Sequence, residues 1–126
     1  MRVVARRIDH VVVLGFDSGE MLDCHVASDV RSQAIRLLDS RSDVVVDLSH
    51  LEFVDSAGLG VLVSLYRRVT GRGRRIVLAK PQPYVMRVMR VIRLDRVFEI
   101  FPDVDEAAHE LREVESVGAC EIGTPR

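Results

Sequence analysis

The alternation of apolar and polar residues sets the first boundaries on this chain. Residues 2–7 and 11–16 read as short strands, and Asp9 with His10 between them predicts a tight turn, so the fold opens on an antiparallel hairpin. Asp17, Ser18 and Gly19 form a turn, and residues 20–24 lead into a helix whose apolar positions Val26, Val30, Ala34, Leu37 and Leu38 share one face. Val44, Val45, Val46 and Leu48 make a continuous, mostly β-branched run, the pattern of a strand covered on both faces. From Ala57 onward Leu59, Leu62, Val63, Leu65, Tyr66 and Val69 recur at helical spacing. Residues 71–75, GRGRR, break that helix, and 76–79 form a strand ended by Lys80 and Pro81. Residues 84–92 are helical through Val85, Val88, Met89 and Ile92, and 97–101 form a further strand. Asp103 and Glu106 resemble a capping box opening a last helix over 104–114.

The order is therefore β-β-α-β-α-β-α-β-α. Strands alternating with helices predict an α/β fold with a mainly parallel sheet, one N-terminal hairpin, and helices packed on the sheet. Residues 1–114 make one domain, and 115–126 form a flexible tail outside it. At 126 residues the chain can bury one core without disulfide staples.

Charge and composition narrow the function. Lys and Arg number 18 against 19 Asp and Glu, a balance that gives no general attraction to nucleic acid or an anionic membrane. Arg87, Arg90 and Arg93 recur every third residue, a spacing read as a solvated helix face. The two cysteines, Cys24 and Cys120, are far apart and in no CxxC pair, which suits a reducing compartment, the cytoplasm. No apolar run approaches the roughly 20 residues that span a bilayer, and the charged N-terminus lacks the core of a signal peptide.

Little of the familiar chemistry is present. His10, His25, His50 and His109 show no ligand spacing for a metal, and neither GxGxxG nor GxxxxGK[ST] occurs, so no metal, nucleotide or other cofactor is expected. What remains is Ser56, at the seam between a strand and a helix and at or beside the helix N-cap. A hydroxyl there lies near unpaired N–H groups and the positive end of the helix dipole, an environment that can hold a phosphate. The same strand-turn-helix setting suits a nucleophilic serine, but a nucleophile elbow needs glycine two residues earlier, where Val54 stands. The chain is read as a non-enzyme.

The segment VDSAGLGVLVSLYRRV, preceded by VVVDLSHLEF and followed by GRGRRIVLAKPQPYVMRVMRVIRLDRVFEIF, resembles the STAS domain of bacterial anti-sigma-factor antagonists. The resemblance covers residues 2–113 and implies the STAS fold. Asp55, Ser56, Ala57, Gly58, Leu59 and Gly60 reproduce the Asp-Ser-small-Gly-Leu-Gly pattern around that family's phosphorylation site.

The resemblance makes Ser56 the phosphoacceptor and the residues around it partner-contact surface, Gly58 and Gly60 included. It implies that the unmodified chain binds an anti-sigma factor that is also a serine kinase, carrying the ATP and Mg²⁺, and so frees a sigma factor. Phosphorylation ends that binding, and a serine phosphatase restores it. The family also has an acidic residue in a Gly-x-Leu-Asp-like segment. GEMLD offers Asp23, with one more residue after the glycine, as a partner contact or as a cap of the first helix. The alternative role for the same fold is a scaffold or accessory subunit of a sensory complex or lipid-transport system.

Overall fold

In the computed structural model, which describes residues 1–18 and 21–120, β1 (Arg2–Ile8) and β2 (Val11–Ser18) pair antiparallel across the turn at Asp9 and His10. Asp9 takes a left-handed φ of 54°, a conformation aspartate tolerates better than most residues. Three further strands extend the sheet: β4 (Asp43–Asp47) lies parallel to β2, β6 (Ile76–Ala79) parallel to β4, and β7 (Ile100–Phe101) parallel to β6. The order across the sheet is β1-β2-β4-β6-β7.

The valine run has its cause in two cores. On one face Val12, Leu14, Val44, Val46, Ile76 and Leu78 pack with α1 (Ala27–Leu37), α2 (Ser56–Thr70) and α3 (Pro83–Val91). On the other, Val11, Val13, Val45 and Val77 meet Val104, Ala107 and Leu111 of α4 (Val104–Cys120). Strands buried on both sides leave no polar face, so β4 reads as an unbroken apolar stretch. The Glu106 N–H donates to Asp103 Oδ1 at 2.7 Å, the cap expected for α4.

Several expectations are corrected. The strand expected over 97–101 is confined to Ile100–Phe101, because the chain first makes a 3-10 turn, Leu94–Arg96, and Phe98 turns inward to meet the Tyr66 ring edge-on at 5.2 Å. Of the apolar face expected for α1, Leu37 alone turns outward at 38% exposed: Val30 and Ala34 are buried with Ala27, and Val26 and Leu38, just outside the helix, pack half-buried against the same core. The backbone of α4 continues to Cys120, beyond position 114 where the helix was expected to give way to a tail. Gly19, Glu20 and residues 121–126, part of the expected turn and tail, lie outside the described residues.

A second sheet, absent from the expected order, pairs β3 (Met21–Leu22) in parallel with β5 (Phe53–Val54). It carries the segment containing Asp23 to the start of α2.

Candidate functional site

The site is built outward from Asp55. Its backbone is extended, with φ −106° and ψ −173°, while its carbonyl already accepts the Leu59 N–H at 2.9 Å, the first bond of α2. Asp55 is thus the N-cap, and Ser56 is the first helical residue. One carboxylate oxygen, Oδ1, accepts the Gly58 N–H at 2.9 Å, and the other, Oδ2, accepts the Cys24 N–H at 2.9 Å. The Asp55 N–H donates to the Leu22 carbonyl at 3.3 Å. One residue therefore ties the helix start to the segment after β3. The Gly58 N–H, helped by those of Cys24 and Ala57 and opposed by loss of hydration, holds the Asp55 carboxyl below the usual aspartate range. The site carries a negative charge next to Ser56 throughout the neutral range.

Ser56 is exposed, and its hydroxyl makes no hydrogen bond to any described residue. No histidine engages it, so the described residues contain no triad geometry at this serine. The N–H groups expected to be unpaired at the seam are partly taken, since the cap carboxylate draws them first.

The two glycines differ. A Cβ at Gly58 would meet the Leu22 carbonyl oxygen at 2.2 Å and Val54 Cγ2 at 2.6 Å, whereas a Cβ at Gly60 would meet nothing within 4 Å. Gly58 is buried, and the absence of a side chain there lets α2 lie against β3. Gly60 is exposed, Ala57 is half-buried, and Leu59 is a core residue with 7% of its surface exposed.

Asp23 is half-buried and sits beside this seam without capping α1, whose N-cap is Val26 with no side-chain bond. Its Oδ1 accepts the His25 N–H at 3.0 Å, and its carbonyl accepts the N–H groups of Val26 and Ala27 at 3.1 and 2.9 Å. It shapes the turn that feeds the helix.

The sequence reading missed a groove of about 500 Å³ that starts at Ser56 and runs along α2 past Leu59, Gly60, Val63 and Ser64 to Arg67. Its far wall is Ile92 and Leu94, after α3. The signal was present as residues 56, 59, 60, 63, 64 and 67, a second helical stripe beside the core-facing one, but its facing wall depends on the turn after α3.

Among the described residues no cluster of three or more His, Cys, Asp or Glu side chains could hold a metal ion, and no helix is long and apolar enough to cross a membrane.

Comparison with known proteins places this geometry. Residues 2–107 match the family model described as STAS domain. The anti-sigma F factor antagonist of Paenibacillus polymyxa is 32% identical over 102 residues, covering 79% of this chain and 84% of that protein. The crystal structure of an anti-sigma factor antagonist from Mycobacterium paratuberculosis superposes with a TM-score of 0.78 at 27% identity, covering 88% of this chain and 93% of the other. The Bacillus cell fate determinant SpoIIAA in its phosphorylated form shares the fold, with a TM-score of 0.64 and 19% identity over 86% of this chain and 98% of that one.

Proposed function

The chain belongs to the STAS domain family, and on that premise we propose that it is an anti-sigma-factor antagonist controlled by phosphorylation of Ser56. Unmodified, it binds an anti-sigma factor that is also a serine kinase, and the bound sigma factor is released to act in transcription. The kinase brings the ATP and Mg²⁺, and this chain supplies the acceptor. A serine phosphatase reverses the modification. The work is done in the cytoplasm, and the chain is a substrate, not an enzyme.

The observation that carries this reading is the Ser56 hydroxyl: exposed, bonded to no described residue, and fixed at the first position of α2 by the Asp55 cap. A phosphoryl group there adds close to two negative charges and three acceptor oxygens. It would stand beside an ionised Asp55 whose oxygens already occupy the nearest N–H donors, so the helix N-terminus offsets only part of the repulsion. A partner surface fitted to a neutral hydroxyl then meets concentrated negative charge and lets go. Asp23, Ala57, Leu59 and Gly60 frame the contact, with Asp55 supporting it from behind.

The test uses the purified chain, its cognate anti-sigma kinase and ATP. Phosphate should appear at Ser56 by mass spectrometry and be absent from Ser56→Ala. Ser56→Asp should lose binding to the kinase. Uptake of no phosphate, or unchanged binding by Ser56→Asp, sinks the proposal.

A further inference from the structure

The groove that begins at Ser56 has a chemical character that a bare hydroxyl switch does not use. Leu59 and Val63 on α2 face Ile92 and Leu94 across it. Of the far wall, Ile92 is 47% exposed, and Val91 before it in the chain is 76% exposed. Apolar surface of this kind, gathered in one place on a concave site, marks a contact for another molecule.

The rim is basic. Arg67 lines the groove and Arg93 stands in the chain between the two far-wall residues, while Arg90 and Arg96 border a neighbouring concavity with Met86, Asp95 and Val97. Among the described residues none of these four has a carboxylate partner, although the nearby Arg75 pairs with Glu99. Asp95 is the one carboxylate on the 3-10 turn. The whole chain has a net charge of −1, so this concentration of cations is local. Arg93 also has a φ of 67°, in the left-handed region that glycine or asparagine enters at lower cost. The chain holds a cation at the groove's edge in a conformation that its side chain disfavours.

We infer that the groove receives an amphipathic helix of the protein partner, its aliphatic stripe seated between α2 and the Ile92–Leu94 turn and its flanking carboxylates paired with Arg67 and Arg93. This rests on the switch reading, because Ser56 forms one end of the same groove. A helix is favoured by shape: its convex ridge fits a trough running along another helix, with side chains at i, i+3, i+4 and i+7 as anchors. The walls are aliphatic and offer no aromatic platform for stacking bases. The apolar residues line a concavity instead of projecting as a ridge that could enter a bilayer. An acidic occupant also explains release on phosphorylation, since phosphoserine would stand at the end of a groove holding carboxylates.

The experiment is an NMR titration of the full chain with two synthetic helical peptides sharing one leucine stripe, one flanked by glutamates and the other by lysines. The glutamate peptide should shift the resonances of Leu59, Val63 and Ile92 and bind about tenfold more tightly than the lysine peptide. That preference should vanish in the Arg67→Gln, Arg93→Gly double variant and fall in Ser56→Asp. Arg93→Gly alone should raise the thermal midpoint while weakening binding, which separates lost charge from lost fold. Equal affinity for the two peptides, or shifts centred away from the groove, overturns the inference. So does reproduction of the same shifts by phosphatidylserine vesicles, which would assign the surface to a membrane. No kinase or ATP enters, so failure here leaves phosphate uptake at Ser56 as a separate question.

Discussion

Asp43 and Asp55 are the same side chain used in opposite ways. Asp43, at the start of β4, is 5% exposed, and its Oδ1 accepts the Arg75 N–H at 2.9 Å and the Arg74 Nε–H at 3.1 Å. His10 Nε2 lies 3.4 Å from its other oxygen. Asp55, before α2, also holds two segments together, but through two backbone N–H groups and, among the described residues, with no cation paired to it. Asp43 is buried and closed by the Arg74 guanidinium and the Arg75 N–H, so it fixes the fold. Asp55 keeps its negative charge unopposed beside an exposed hydroxyl, so any further charge placed there is felt. The difference teaches that a bonded carboxylate reports on function only through what compensates it.

The largest expected effect lies at the closed end. Asp43→Ala should cost about 3 kcal/mol, because it strands a partly buried guanidinium and an N–H group, and urea denaturation will read the loss. A cost near that of an exposed ion pair would break the contrast. Next comes Gly58→Ala, expected to cost about 2 kcal/mol since the new methyl overlaps the Leu22 carbonyl. Gly60→Ala, measured alongside, should stabilise by about 0.5 kcal/mol, because its Cβ enters open space in a helix.

The acid limb of stability tests Asp55 directly. Its folded pKa is depressed, so its contribution is fully present above the unfolded value of about 3.9 and is lost as pH falls through the folded value below it. Asp55→Asn keeps an oxygen for the Gly58 N–H but cannot titrate. Its thermal midpoint should therefore fall less than that of the wild type over this acid window, and parallel curves would contradict the assignment. The smallest effect belongs to Ser56→Ala, which should change stability by less than about 0.5 kcal/mol because the hydroxyl bonds to no described residue.

Local pattern is enough for three elements: strands around the Asp9–His10 turn for the hairpin, an unbroken β-branched run for β4, and helical spacing for the helix after residue 55. Two-residue strands carry no period, so β3 and β5 were invisible, and with them the bond from Cys24 to Asp55 across 31 positions. The hexapeptide pointed to Ser56, but a glycine's purpose is written in its neighbours. Only contact with Leu22 separates Gly58 from Gly60. The groove stayed hidden for a related reason. It needs the left-handed turn at Arg93, and arginine gives no hint of that conformation.

The junction between β3 and β5 is made of main-chain bonds: Leu22 pairs with Val54, its carbonyl takes the Asp55 N–H, and the Cys24 N–H reaches the Asp55 carboxylate. On the β3 side these bonds ignore side-chain identity. The exposed side chains of Met21, Cys24 and His25 can therefore be rewritten without displacing Ser56. Under the proposed switch, recognition of different partners can diversify at these positions while the address of Ser56 stays constant, so a cell holding several such chains can insulate parallel circuits that share one kind of signal.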